Sequence, residues 1–272
     1  MQMTATTGAV DLTTYDVVLV NSSAGKDSQA MLDYLVELAD SQGVERSRLV
    51  VVHCDLGRVE WKGTRALAEE QARHYGLRFE VVRREQDLLD QVAQRGMWPG
   101  AGATRYCTSD HKRDQVAKLL TRLVDERRGT KWQPVRILNC QGIRAQESDA
   151  RAAKLPFQVD TRATNGKRHV DLYYPIFTWS LEQVWQRIRQ SGVRHHEAYD
   201  LGMSRLSCCF CIMGSKPDLL IAAQANPELL DTYCQVEEQI GHSFTHKLSI
   251  RSLRSLAQAT SIAQGNPSTV TA

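Results

Sequence analysis

Tyr15–Leu32 reads YDVVLVNSSAGKDSQAML, and the fold turns on how its three parts are read. Val17, Val18, Leu19 and Val20 form a short apolar run rich in β-branched residues, the pattern of a strand buried on both faces. The small residues Ser22, Ser23, Ala24 and Gly25 interrupt it. Asp27, Ser28 and Gln29 suit the cap and opening of a helix whose apolar positions, Ala30, Met31, Leu35 and Leu38, recur at helical spacing. A strand, a tight small-residue turn and a helix start make an anion pocket, because unpaired N–H groups and the positive end of the helix dipole meet there. A Walker A loop is excluded, since Asp27 stands after Lys26 where that motif needs Ser or Thr. A Ser/Gly turn without a ligand is the plain alternative.

Outward from this stretch, strands and helices alternate. A helix running to about Ser41 precedes a strand, Leu49–Cys54, that ends at Asp55-Leu56-Gly57. An acidic residue at such a strand end lies where open α/β sheets bind ligands, although DxG is also simply a good turn. Thr64–Gly76 reads as helix, Phe79–Val82 as strand, Asp87–Arg95 as helix and Val135–Cys140 as strand. Asn165-Gly166 marks a hairpin turn before a returning strand, Asp171–Ile176, and Ser180 caps a helix carrying Val184, Trp185 and Ile188. The alternation predicts an α/β, doubly wound, mainly parallel sheet over residues 12–190. A small, mostly helical region over 191–250 follows, with helices near Pro217–Ala225 and Pro227–Ile240, then a flexible tail over 251–272. Met1–Asp11 reads as a loose leader.

The 272 residues are 42% hydrophobic and 24% charged, the make-up of an ordinary globular protein. A net charge of +3 gives no signal for nucleic acid by itself. No apolar run is long enough to span a bilayer and Met1–Asp11 lacks the features of a signal peptide, so no membrane partner is expected and the cytoplasm is the default location. The 7 cysteines, an odd number, argue against a disulfide framework and leave metal ligation, catalysis or burial. Cys208-x-x-Cys211 has metal-ligand spacing, and Cys107 follows the glycine-rich loop Gly96–Gly102, which can bring it near. Cys54 and Cys140 end apolar strands and read as core residues. Arg105, Lys112 and Arg113 cluster beyond that loop, either as a solvated face or against an anionic substrate. Gly142-Ile143-Arg144 with Glu147 and Arg151 likewise reads either as a ligand-facing strand end or as a helix start with an ordinary i,i+4 pair.

Several of these motifs occur in a telling order. Ser23–Ser28 (SAGKDS) resembles the pyrophosphate loop of the PP-loop ATP pyrophosphatases, also called adenine nucleotide alpha hydrolases, with Ala24 in place of a glycine. A turn with φ < 0 would tolerate that change. The Asp55–Gly57 turn, Gly142–Arg144 with Glu147-Ser148, Tyr174-Pro175-Ile176 with Trp179, and the cysteines after Gly202 follow in sequence. Together they resemble the phosphoadenylyl-sulfate (PAPS) reductase family over roughly Tyr15 to Cys211, and within it most nearly the DndC- and SspD-like proteins of DNA phosphorothioate modification.

The resemblance implies an adenine nucleotide alpha hydrolase-like fold and ATP cleavage to AMP and pyrophosphate, activating a substrate for sulfur insertion. It assigns nucleotide binding to Ser22, Ser23, Ala24, Gly25, Lys26, Asp27, Ser28, His53, Asp55 and Gly142, and catalysis to Lys26, Asp27, Asp55 and Arg144, with Mg²⁺ on Asp27 or Asp55. Arg105, Lys112, Arg113, Glu147 and Arg151 are expected at the acceptor, a nucleic acid, DNA above all. Cys107, Cys208, Cys211 and Cys234 are expected to hold a [4Fe–4S] cluster or zinc, with a cysteine desulfurase and other modification-complex subunits as partners. A sulfonucleotide reductase is the alternative; the segment after Cys234 carries no cysteine to serve as its nucleophile. A nucleotide-sensing subunit without turnover is the third reading.

Overall fold

β1 (Val17–Ser22) sends alternate side chains into two different cores, as the period of a strand requires. Val18 and Val20 pack with helix α1 (Lys26–Ser41), through Met31, Leu32 and Leu35. Val17 and Leu19 pack on the other face with helix α5 (Asp114–Arg128), through Leu119, Leu120 and Leu123. A strand flanked by helices on both faces belongs to a doubly wound sheet. The computed structural model describes residues 10–100, 104–129 and 133–263.

β2 (Leu49–Cys54), β3 (Arg78–Val82), β4 (Val135–Cys140) and β6 (Arg168–Tyr173) run parallel with β1 in one ladder. β5 (Phe157–Val159) closes one edge antiparallel to β6, and the order across the six strands is β3-β2-β1-β4-β6-β5. Connections leave β1 in one direction and β4 in the other, so the switch point of the sheet lies between their carboxyl ends. α2 (Thr64–His74), α3 (Leu88–Arg95) and α7 (Leu181–Ser191) complete the layers, and the short α4 (Tyr106–Thr108) and α6 (Asp149–Ala152) lie in the connections before α5 and after β4. A third core forms where α8 (Lys216–Ala225), α9 (Pro227–Ile240) and α10 (Ile250–Ala263) pack with α3 and the 198–210 segment, around Trp98, Phe210, Tyr233 and Phe244. No helix among the described residues is long and apolar enough to cross a membrane.

The α/β, mainly parallel sheet predicted from the alternation is present, with four local differences. α1 starts at Lys26 with Gly25 as its N-cap, so Asp27, Ser28 and Gln29 lie inside the first turn rather than capping it. β6 ends at Tyr173 instead of Ile176, because the Asn165–Arg168 turn starts the strand at Arg168 and Pro175 has no N–H to offer a ladder. β5, at three residues, is too short to show a period. The tail expected over 251–272 is corrected over its first part: α10 is a helix whose Ile250, Leu253 and Ala257, at i, i+3 and i+7, are buried against α8 and α9. The leader through residue 9, loop residues 101–103 and the tail beyond 263 lie outside the described residues.

Leu253 is fully buried in the third core. Leu253→Ala should therefore lower stability by about 2–4 kcal/mol in urea unfolding. An unchanged midpoint would show that α10 is not packed.

Candidate functional site

Between β1 and α1 the backbone turns four consecutive amides, Ser23 to Lys26, toward hydroxyl groups. Ser23 N–H donates to Ser28 Oγ at 3.2 Å, Ala24 N–H to Ser22 Oγ at 3.2 Å and Gly25 N–H to Ser23 Oγ at 3.4 Å. Lys26 N–H donates to the Tyr199 hydroxyl at 2.9 Å. Each acceptor is neutral and most of the contacts are long. Such a run of amides at a helix start is a nest that prefers an anion. Ser28 Oγ also donates to Gly25 O at 2.9 Å and so pins the turn to the first turn of α1.

Ala24 has φ 55°, the sole non-glycine residue with positive φ among those described. The φ < 0 anticipated for it is thus overturned. Closing the nest needs a left-handed residue there, and alanine adopts that conformation at a cost of about 1–2 kcal/mol. From the neighbouring strand, Gly142 packs against the start of α1: a Cβ there would lie 2.9 Å from Asp27 C and O and Ser28 N. Glycine is what allows the β4 loop to approach so closely.

Asp27 and Arg144, both expected to act in catalysis, hold each other. Arg144 Nε donates to Asp27 Oδ1 at 2.6 Å, and Lys26 Nζ lies 3.4 Å from Asp27 Oδ2. Arg144 Nη1 also donates to Gln146 Oε1 and Trp179 O, and its side chain is buried. The pair ties α1 to the loop after β4. Both Asp27 oxygens thus face a cationic side chain, Oδ1 that of Arg144 and Oδ2 that of Lys26. Glu147 accepts Arg144 N–H at 3.0 Å and pairs with Arg151 one turn on, so these two residues form the ordinary i,i+4 pair.

Lys26 is buried under the 199–206 segment. Its Nζ donates to Ser204 O at 3.0 Å and lies 5.4 Å from the centre of the Tyr199 ring. The Tyr199 hydroxyl also accepts Leu206 N–H at 3.3 Å, and burial pushes that phenol up to about 12. Asp218, at the start of α8, accepts both Ser204 N–H and Ser204 Oγ–H at 2.7 Å and so fixes this cover in place. Sequence spacing gave no sign of Tyr199 or Ser204 at the turn.

On the other side of β1, His53 braces the strand ends. Its Nδ1–H donates to Ser22 O at 3.0 Å and its Nε2 meets Glu60 Oε2 at 3.1 Å. The ring is almost fully buried, and its hydrogen bond to Ser22 O ties the end of β2 to the end of β1. Asp55 Oδ1 accepts Gly57 N–H at 2.7 Å, and its Oδ2 faces the guanidiniums of Arg65 and Arg83 at 3.8 and 3.7 Å. Asp55 lines a cavity of about 710 Å³ with Glu60, Trp61, Lys62, Arg65 and Arg83.

Arg105, Lys112 and Arg113 are exposed. Arg105 reaches Thr108, one turn away, while the Lys112 charge bears on Cys54, Cys107 and Cys208. Cys107, Cys208 and Cys211 lie close enough to influence one another, but burial is the main reason that the thiols of Cys107 and Cys208 are pushed up. Burial likewise raises Cys209 to about 12 and Cys54 to about 11. The groups acting on Cys234, beyond burial, are Arg254, Asp231, Glu237 and Arg251 rather than the other thiols. Among the described residues no group of three or more His, Cys, Asp or Glu side chains is set to hold a metal ion. The set of Cys107, Cys208, Cys211 and Cys234 is therefore not assembled as a four-ligand site among the described residues.

A family model described as the phosphoadenosine phosphosulfate reductase domain matches residues 17–213. An uncharacterised 37.8 kDa protein of Escherichia phage 186 is 31% identical over 132 residues, which cover 48% of this chain and 36% of that protein. An uncharacterised protein of Methanocaldococcus jannaschii is 28% identical over 194 residues, 71% of this chain and 36% of its own length. The adenosine 5′-phosphosulfate reductase of Allochromatium vinosum is 26% identical over 171 residues, 61% of this chain and 59% of that enzyme. The chain thus spans about a third of the first two relatives and under two thirds of the third. Among solved structures, PAPS reductase from Candida auris aligns at a TM-score of 0.46 with 16% identity, covering 72% of this chain and 83% of that one. The U34-tRNA thiolase NcsA from Methanococcus maripaludis aligns at 0.45 with 15% identity, covering 92% and 75%.

Two outcomes follow from the geometry. Ala24→Gly should leave stability unchanged or raise it by up to ~1 kcal/mol in urea unfolding, whereas Ala24→Val should lower it by ~2 kcal/mol or more. A destabilised glycine variant would show that the strained turn is misplaced. At pH 7.5, Cys107 and Cys208 should alkylate with iodoacetamide at least about tenfold more slowly than a free cysteine peptide, because partial burial pushes both thiols up and leaves the reactive thiolate scarce. Raising the pH should speed the reaction; mass spectrometry showing faster labelling than the peptide would contradict the burial seen here.

Proposed function

The chain belongs to the phosphoadenosine phosphosulfate reductase domain family, and on that footing we propose that it is an ATP pyrophosphatase that activates a substrate for sulfur insertion. The observation that carries this reading is the run of four amides at the β1–α1 turn, each held by a neutral hydroxyl where an oxyanion would bind better. The β- and γ-phosphates of ATP replace the hydroxyls of Tyr199 and the serines as acceptors. Lys26 exchanges Ser204 O for a phosphate oxygen, a stronger partner for an ammonium than a carbonyl. The Asp27–Arg144 pair and the Gly142 approach hold the turn rigid while this happens. Mg²⁺ enters as part of the substrate.

An acceptor oxygen then attacks the α-phosphorus. The new O–P bond forms as the bond to the β-phosphate oxygen breaks, and pyrophosphate leaves with its charge neutralised by the amides and Lys26. The adenylated oxygen leaves as AMP when a sulfur nucleophile replaces it. The acceptor in this reading is a DNA phosphate, and the product is a phosphorothioate. The sulfur comes from a separate donor, either as sulfide or as the outer sulfur of a cysteine desulfurase persulfide; in the second case a thiol reductant then cleaves the S–S bond to the carrier and leaves as a disulfide. The partly buried thiols of Cys107 and Cys208, pushed up by burial, are poor nucleophiles as they stand.

The likeness to the Allochromatium enzyme favours a second reading, a sulfonucleotide reductase. Product analysis separates the two. With labelled ATP, Mg²⁺, duplex DNA and sulfide, the first reading expects AMP and pyrophosphate, reduced at least about a hundredfold by Lys26→Ala. ADP and phosphate would overturn it. Sulfite released from adenylyl sulfate or its 3′-phosphate by a thiol reductant would establish the second reading instead.

A further inference from the structure

The cavity beside Asp55 shares none of the residues of the β1–α1 turn, and its charges are unbalanced. Three of its charged side chains are already committed: Arg58 to Asp87 and Asp90, Glu60 to His53, and Glu69 to Arg73. What remains is Lys62, Arg65 and Arg83 around the single carboxylate of Asp55. Arg65 Nη1 and Arg83 Nη1 approach the same oxygen, Asp55 Oδ2, at 3.8 and 3.7 Å. These distances are beyond hydrogen-bond range, so both guanidiniums keep donors to spare. Among the described residues Lys62 has no acidic partner within 4 Å.

One further feature of the wall favours negative charge. α2 begins there at Thr64 behind Gly63, with no side-chain cap and no acidic residue in its first turn, so the positive end of an 11-residue helix meets the cavity. Gly57, with φ 69°, makes the turn after Asp55, and Arg83 lies beside it.

We propose that this cavity is a second oxyanion site, which takes a phosphoryl group of the acceptor between Lys62, Arg65 and Arg83. The assignment deepens the adenylation reading and rests on it for the word acceptor. The cavity is joined to the pyrophosphate turn through its own wall: Glu60 meets His53 Nε2, and His53 Nδ1–H holds Ser22 O just before the turn. An anion gripped beside β2 therefore lies next to the strand end where ATP would be cleaved. Two guanidiniums presented from different elements suit a tetrahedral oxyanion better than a planar carboxylate, which one fork alone can satisfy. The phosphoryl group is either a phosphodiester of a nucleic acid or a phosphomonoester of a small nucleotide, since both present the same oxygens.

Binding to the full chain tests this, with a fluorescent ATP analogue as the probe of the turn. Adenosine 3′,5′-bisphosphate and a DNA octamer lacking terminal phosphates probe the cavity. Arg65→Gln combined with Arg83→Gln should weaken one of the two cavity probes at least about tenfold, as loss of two charge-assisted contacts requires, while the ATP analogue keeps its affinity within about twofold. Asp55→Asn should tighten the same probe, an effect opposite in sign to simple loss of structure. Preference for the octamer assigns a phosphodiester and preference for the bisphosphate a monoester; either supports the site. The proposal is overturned if the wild-type chain holds neither probe, if the double variant holds both as well as the wild type does, or if it loses the ATP analogue in the same proportion. Lys26→Ala should release the ATP analogue and spare the cavity probe; if it spares both, the reading of the turn fails and the cavity stands apart from it.

Discussion

Buried backbone N–H groups must find acceptors, and the β1–α1 turn presents four in succession at the end of a strand buried at all positions but Asn21. Everything nearby is arranged by that demand. Ser22, Ser23 and Ser28 supply hydroxyls from the turn itself, and Tyr199 reaches in from 173 residues further along the chain. Larger side chains at the serine positions would crowd the nest, and apolar ones would leave amides orphaned at about 1–3 kcal/mol each. The turn thus tolerates small polar residues and an anion, and little else.

Holding the turn in that shape requires support from both sides. On one flank the Asp27–Arg144 pair, with both side chains largely buried, locks the first turn of α1 to the loop after β4. Breaking it from either end would strand a charge in a desolvated place, an effect of about 3–5 kcal/mol. That makes the two residues more important as a brace than as reactants. On the other flank His53 takes its place between Ser22 and Glu60, so the second strand end reports its position to the first. Ala24 bears the remaining strain, in a conformation glycine would adopt freely.

What the sequence revealed was mostly local. The apolar run Val17–Val20, the small residues after it and the helical spacing from Ala30 onward are enough to place β1, the turn and α1. The parallel sheet follows from the alternation alone, because each of its five parallel strands has five or six residues, enough to show a pattern, which the three-residue β5 has not. Features set by distant neighbours were not legible. The sign of φ at Ala24 depends on how the turn closes, not on which residues it contains. The partners of Asp27 and Lys26 come from loops far away in the chain, Arg144 for the one and Ser204 for the other, which local spacing does not show. Composition hid α10, since Ser, Gln and Thr on its exposed face outnumber the three buried apolar positions. Cys234 shares a core with the other thiols without standing beside them, which spacing from Cys211 could not foretell.

The cover over Lys26 has an energetic consequence for any occupant of the turn. A charge-assisted bond from Lys26 to a carbonyl contributes about 1.5–3 kcal/mol, and the two neutral bonds accepted by Tyr199 about 1 kcal/mol each. A nucleotide that displaces all three gives up roughly 3–5 kcal/mol of its own binding free energy, a factor of about a hundred or more in apparent affinity. Only a ligand that replaces every lost contact with a stronger one gains from the exchange. A polyphosphate does so, because each amide and the ammonium trade a neutral oxygen for an anionic one; a neutral nucleoside does not. The same segment that closes the site in this conformation therefore sharpens its preference for phosphate over sugar or base, and Asp218, which anchors Ser204, sets how firmly that preference is enforced.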